Sequence, residues 1–257
     1  MNNFFSLKNK VAVITGSSRG IGKGIAFRFS ELGAKIIVSS RKIDACEQVV
    51  KEINNTGGIA NAFECNISNK NSCQDLINFA QKKYGKIDIL VCNAASNPYY
   101  GDLADIPDES FEKIMNNNVK SNLWLCKNVI PHLKKNKSGS IIIISSIAGL
   151  QGVENLGAYS ISKTADIGLI RSLAVELGKY NITVNGLCPG IIKTDFAKAL
   201  WENPDILKNV ESYAPLKRIG TTDEVAGAAI LLASKPGSFI TGQVITMDGG
   251  ITIAGRG

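Results

Sequence analysis

Short apolar, β-branched runs alternate along this chain with longer stretches whose apolar residues recur at helical spacing. KVAVIT, AKIIVSS and ANAFEC are followed by IGKGIAFRFSELG, IDACEQVVKEINN and NKNSCQDLINFAQKKYG. The rhythm continues through IDILVCN, a helical stretch from about Ser110 to Lys134, and GSIIIISS. A second long helix is expected from about Ala158 to Lys179, then the strands ITVNGLC and QVITMD. Such alternation marks βαβ units, and strands apolar at nearly every position belong to a parallel sheet covered on both faces. The pattern predicts seven strands in a doubly wound α/β fold.

No tandem repeat, linker or composition break divides the 257 residues, so one domain over 1–257 is expected. Strand rhythm lapses between Gly190 and Gly220, where Trp201, Pro204 and Pro215 interrupt short helical pieces. An insertion of this length at the strand-end side reads as a substrate lid, residues 190–220. Beyond it, Thr221 and Glu224 have capping-box spacing and mark the start of the helix VAGAAILLA.

Composition excludes several classes. A hydrophobic content of 44% is ample for a core, and the net charge of +7 comes from scattered lysines without a basic arm, so nucleic acid is not an expected partner. Cys46, Cys65, Cys73, Cys92, Cys126 and Cys188 show no C-x-x-C pair and no spacing suggestive of a zinc site; reduced thiols in an intracellular protein are expected. MNNFFSLKNK lacks a signal-peptide core, AGRG is no peroxisomal address, and the longest aliphatic run, Ile141 to Ile144, is too short for a bilayer. A cytoplasmic protein without a membrane partner is the expectation.

Candidate chemistry begins at TGSSRGIGKG, Thr15 to Gly24, directly after the first strand. Gly16, Ser18 and Gly20 spell the G-x-S-x-G of a hydrolase nucleophile turn, which also needs a later acid and histidine. The single histidine, His132, lies in PHLKK near the polar end of a helix and reads as a solvated residue. Gly22 and Lys23 suggest a triphosphate loop, but Ser17 stands where that loop needs glycine and Gly24 where it needs Ser or Thr. What remains is Gly16, Gly20 and Gly22 between a strand and a helix. Glycines let backbone N–H groups approach a pyrophosphate, and the helix N-terminus adds partial positive charge.

TGSSRGIG, CNAA at Asn93, NNNV at Asn118, ISS at Ser146, YSISK at Tyr159 and CPGIIKT at Pro189 together resemble the short-chain dehydrogenase/reductase family over essentially the whole chain. NAASNPYYG and SSRK resemble its NADPH-dependent carbonyl and retinol reductases. The resemblance implies a Rossmann-type sheet of order 3-2-1-4-5-6-7 and a nicotinamide cofactor. It places Gly16, Ser18, Arg19, Gly20, Ile21 and Gly22 at the pyrophosphate, and Asn66, Ile67, Asn93, Ala94 and Ala95 along the adenosine. Pro189, Gly190, Ile192 and Thr194 fall at the nicotinamide. Asn66 stands where the family usually has aspartate, and its side-chain oxygen can accept the same hydrogen bond. Ala95 replaces a glycine and adds one methyl group.

An enzyme that prefers NAD(H) usually ends its second strand with a carboxylate for the ribose 2′-hydroxyl. Here the strand ends with Ser39, Ser40 and Arg41, and Arg19 can approach from the glycine turn, so NADP(H) is expected over NAD(H).

Tyr159 and Lys163 stand four apart on a predicted helix and share a face. An ammonium beside a phenol favours phenolate and readies it for proton exchange. By the resemblance, Ser146 holds a substrate carbonyl oxygen beside Tyr159, Asn118 holds Lys163 through a water, and Lys163 grips the nicotinamide ribose. Ser145 should point elsewhere, because consecutive strand residues alternate faces.

Leu150, Val153, Leu156, Tyr99, Tyr100, Phe196 and Trp201 suggest a hydrophobic ketone, aldehyde or secondary alcohol, although loop aromatics also serve plain packing. Lys193 and Lys198 keep a second reading open, a 3-oxoacyl thioester reductase; a third is a nucleotide-binding regulator without catalysis. Trp124, Leu125, Leu169, Leu173 and Leu177 face either the sheet or a second copy, and the resemblance implies a homodimer or homotetramer.

Overall fold

The computed structural model describes residues 4–254, so the first three residues and the last three of the AGRG tail lie outside it. Seven strands form: β1 (Val11–Thr15), β2 (Lys35–Ser40), β3 (Ile59–Glu64), β4 (Ile89–Cys92), β5 (Gly139–Ile144), β6 (Ile182–Pro189) and β7 (Val244–Met247). They make one parallel sheet in the order β3-β2-β1-β4-β5-β6-β7. Between them run α1 (Gly20–Glu31), α2 (Ile43–Asn55), α3 (Lys70–Tyr84), α4 (Asp108–Met115), α5 (Ser121–Asn136), α6 (Gly157–Leu177), α7 (Lys198–Trp201), α8 (Pro204–Tyr213) and α9 (Thr222–Ala233).

Residue alternation explains why the strands are apolar throughout. Ile14, Val38, Val91 and Ile142 enter one core with Phe29 of α1, Val49 of α2 and Ala229 of α9. Val13, Ile37, Leu90 and Ile143 point the other way, into a core with Leu76 of α3, Val129 of α5 and Ile170 of α6. Most positions of the five central strands therefore find a hydrophobic neighbour on one side or the other, while the edge strands β3 and β7 are only partly covered. Leu125, Leu173 and Leu177 belong to the second core and face inward, while Trp124 and Leu169 pack against it half-buried. All six cysteines are buried and free.

The helical stretch expected from Ser110 to Lys134 forms continuously from Asp108 to Asn136, with one irregular turn inside it. Asn116–Lys120 form a π-turn between α4 and α5, where the Ser121 hydroxyl and the Asn122 amide donate to the Asn117 and Asn118 carbonyls while the Asn117 and Asn118 amides are held by Ser96. The capping box at Thr221 forms as its spacing predicts, with the Thr221 hydroxyl and Glu224 carboxylate each accepting the other's backbone N–H. Among the described residues, no helix is long and apolar enough to cross a membrane.

Candidate active site

β1 ends in a turn that only glycine adopts easily. Gly16 and Gly20 have φ of 63° and 56°, in the left-handed region. A Cβ on Gly22 would lie 2.6 Å from both the Asn93 amide and the Gly16 carbonyl oxygen. Asn93 explains that crowding: its side chain donates to the carbonyls of Thr15 and Gly16, at 2.9 and 3.1 Å. Its backbone N–H and that of Ala94 donate to the Thr15 hydroxyl, so the ends of β1 and β4 are tied together. Ala95 follows, half-buried.

Helix α1 opens on this turn with Arg19 at its N-cap, no side-chain cap and no acidic residue in its first turn. The first amides, at Ile21 and Gly22, thus face the turn without a carboxylate to occupy them. Uncapped amides, a glycine turn and the dipole together suit a pyrophosphate, so the residues present fit a dinucleotide. Ser17, rather than Ser18, is structural: its hydroxyl donates to the Ile14 carbonyl and accepts from the Ser39 amide.

Ser39 is buried and bonded to Ile14, while Ser40 engages Lys42 and Cys46. Arg41 and Arg19 are exposed, and among the described residues neither forms an ion pair. Asn66 is exposed beyond β3, its side-chain oxygen accepting from Ser68, and Ile67 is buried beside it. At the far side of the turn, Pro189 ends β6, Gly190 donates to the Met247 carbonyl, Ile192 bridges to Gly220, and the Thr194 methyl approaches Gly20. A groove of about 420 Å³ beside Gly20, Phe27 and Thr194 does not include Ser146, Tyr159 or Lys163.

β5 ends against α6, so Ser146 lies at the strand end beside the helix turn that carries Tyr159 and Lys163. The Ser145 hydroxyl donates to the Lys163 carbonyl at 2.8 Å and the Thr164 hydroxyl to the Gly149 carbonyl at 3.0 Å. A Cβ on Gly149 would lie 2.8 Å from the Lys163 backbone, so only glycine permits this approach. Ser145 thus turns away from the open side, as strand alternation predicts. Ser146 caps the short turn Ile147–Gly149, its hydroxyl accepting from the Ala148 amide at 3.1 Å.

Lys163 Nζ lies 5.8 Å from the centre of the Tyr159 ring and donates to the Ile144 carbonyl at 2.9 Å and to Asp166 Oδ2 at 3.1 Å. Burial pulls the ammonium toward deprotonation, but the charge of Asp166, then Tyr159 and the hydrogen bond to Asp166, together more than offset it, and the Lys163 pKa ends above the usual lysine value. Asn118 is fully buried and uses its amide on the Ser96 backbone and the Ser162 hydroxyl, which in turn donates to the Tyr159 carbonyl. Its side chain therefore supports the Tyr159 turn of α6.

Asp166, Asn122, Ser162 and Ser96 escaped the sequence reading. Asp166 carried a readable signal: a carboxylate three residues after Lys163 and seven after Tyr159 lies on their helix face. Around the site, the Phe196 ring is 6.4 Å from that of Tyr159, and the Trp201 indole donates to the Thr194 carbonyl. Tyr100 and Leu150 are exposed, whereas Val153, Leu156 and Tyr99 are half-buried.

A parallel sheet of this order, a glycine turn after β1 and a Tyr-x-x-x-Lys helix beside β5 define a nicotinamide-dependent oxidoreductase of the short-chain type. The chain belongs to the short-chain dehydrogenase/reductase family, which binds nicotinamide cofactors, and it is an oxidoreductase acting on CH–OH or carbonyl substrates. A family model described as enoyl-(acyl carrier protein) reductase matches residues 16–252. Dehydrogenase/reductase SDR family member 4 of Bos taurus is 40% identical over 244 residues, covering 95% of this chain and 88% of that protein. Tropinone reductase-like 3 of Erythroxylum coca is 39% identical over 243 residues, covering 95% and 93%. A 7α-hydroxysteroid dehydrogenase complexed with NADH and 7-oxo glycochenodeoxycholic acid superposes with a TM-score of 0.93 at 38% identity, covering 97% of each chain. The NADP active-site complex of Pseudomonas aeruginosa RhlG gives 0.93 at 32% identity, covering 98% of this chain and all of that one.

Proposed function

We propose that this protein is an NADP(H)-dependent reductase of hydrophobic ketones or aldehydes, reversible as an alcohol dehydrogenase, with Asn118, Ser146, Tyr159 and Lys163 as its active residues. The observation that carries this reading is the buried Lys163 ammonium, fixed 5.8 Å from the Tyr159 ring beside the strand end that presents Ser146. Gly16, Ser18, Arg19, Gly20, Ile21 and Gly22 hold the pyrophosphate, and Ser40 and Arg41 with Arg19 hold the 2′-phosphate. Asn66, Ile67, Asn93, Ala94 and Ala95 border the adenosine; Pro189, Gly190, Ile192 and Thr194 contact the nicotinamide end.

The bound nicotinamide supplies the hydride. Ser146 and Tyr159 hold the substrate oxygen by their hydroxyls, and Tyr159 gives that oxygen its proton as the carbonyl carbon is reduced. Lys163 steadies the phenolate left on Tyr159 by its positive charge. Asn118 keeps α6 in register through Ser162. Phe196 and Trp201, within residues 190–220, form an apolar lid over the substrate of a single 1–257 domain, which works in the cytoplasm as a homodimer or homotetramer.

The acyl-thioester reading loses support because Lys198 is paired with Glu202 at 3.0 Å and Lys193 rests over the Trp201 ring. The test is a panel of aryl ketones, steroid ketones and acetoacetyl thioesters with NADPH and NADH in parallel, following reduced-cofactor absorbance. Ketone turnover should exceed thioester turnover and be faster with NADPH. Tyr159→Phe should lower kcat by about 10²- to 10⁴-fold while NADPH still binds. Undiminished turnover by that variant overturns the assignment of the acid.

A further inference from the structure

The interior of α6 holds a carboxylate that the proton-transfer scheme above does not use. Asp166 is fully buried, and among the described residues its side-chain partners are Lys163 Nζ on Oδ2 and the Asn122 amide, 2.9 Å from Oδ1. The same Asn122 amide donates to the backbone carbonyl of Asn118 at 2.6 Å. The π-turn that carries Asn118 is thereby joined to the Lys163 ammonium through two side chains. Asn122 gives up a bond to do this: its own Oδ1 is buried without a partner. That is the orientation expected of an amide whose donors are committed to a charged acceptor.

Stability alone does not account for the pair. Buried ion pairs are often no more stabilising than apolar residues of the same size, because desolvation cancels the attraction. What the pair does fix is geometry. Lys163 has three N–H donors, of which Ile144 and Asp166 take two, leaving one without a protein acceptor among the described residues. From these contacts we infer that Asp166 is a positioning residue, anchored by Asn122, which aims Lys163 and tempers the positive charge that Tyr159 feels. This rests on the reading of Tyr159 and Lys163 as the proton-transfer pair.

The consequence has a definite sign. A negative charge beside the pair makes both of its protons harder to lose, so removing the charge must make the first of them easier to lose. The other titratable groups facing the pair do not supply this effect. Cys188 on β6 is raised by burial, and Cys92 on β4 is raised well above the ordinary thiol value by its hydrogen bond with Cys126 and by burial, which disfavours the thiolate at both.

The experiment compares the intact wild-type enzyme with Asp166→Asn and Asp166→Glu, reducing with NADPH across pH the aryl ketone of the panel above that the wild type turns over fastest. Asp166→Asn should move the alkaline limit of kcat down by about one pH unit or more, and Asp166→Glu should bring it back toward the wild-type position. A lower kcat with an unmoved limit would mean that Asp166 only packs, and would overturn the inference while leaving the Tyr159 assignment intact. If Asp166→Asn does not fold, ¹⁵N NMR of the lysine ammonium groups in the wild-type protein decides: Lys163 should keep its proton to higher pH than the surface lysines. Titration at or below their range refutes the proposal. Loss of the Tyr159 assignment would show separately, as an active Tyr159→Phe enzyme.

Discussion

Arg41 stands exposed where β2 ends, beside Ser40, and like Arg19 it forms no ion pair among the described residues, so its guanidinium is free to meet a phosphate. A hydrogen bond to a charged group contributes about 1.5–3 kcal/mol, roughly 10- to 100-fold in affinity. Arg41→Glu should therefore raise KM for NADPH by at least about tenfold and leave KM for NADH little changed, measured by initial rates with each cofactor. An equal effect on both cofactors would mean that Arg41 is not reading the 2′-phosphate. Single residues of this kind were legible in the sequence because their chemistry is local: a cation after a strand, or Tyr159 and Lys163 four apart. Asp166 was not recognised, because its meaning comes from Lys163 and from Asn122 on another helix. Asn118 was picked out, but its contacts with Ser96 and Ser162 depend on a π-turn that hydrophobic periodicity does not reveal.

At the scale of elements, the strands and their cores follow from alternation, and α9 follows from its cap. The π-turn was invisible for a physical reason: it goes with bonds from Ser121 and Asn122 to helix carbonyls and with asparagine side chains held by Ser68 and Ser96, neighbours that only the fold supplies. The α9 cap also sets a pH dependence. Hydrogen bonds from the Arg218 guanidinium first, and then from the Thr221 backbone, hold the Glu224 carboxyl down at about 2. A depressed carboxyl contributes stability that is complete above the ordinary glutamate range, about 4.3, and lost as pH falls toward 2. The wild-type urea midpoint should thus fall more steeply than that of Glu224→Gln as the pH drops from about 4.3. Both partners are exposed, so the difference should be small and shrink in salt. Parallel slopes would remove Glu224 from the account of acid stability.

The whole molecule places its glycine turn, its β5 edge and the 190–220 segment around the carboxyl ends of one sheet, where the strand order reverses between β1 and β4. On the proposed reading a dinucleotide lying there would touch residues from both halves of the chain, from Gly16 to Thr194, and would therefore bind the folded state alone and stabilise it as a unit. At one hundred times its dissociation constant a ligand adds about 2.7 kcal/mol. For a chain of this size that corresponds to roughly 5–10 °C in Tm. NADPH should raise Tm by about that much, and NADH at the same concentration by less, with protein concentration fixed so that any assembly equilibrium contributes equally. Because Tyr159 lies outside the phosphate cradle, Tyr159→Phe should keep the NADPH shift, whereas Gly22→Val, whose side chain would displace Asn93 and break the tie between β1 and β4, should abolish it. Equal shifts with both cofactors would withdraw the NADP(H) preference, and a full shift in Gly22→Val would move the dinucleotide away from the turn after β1.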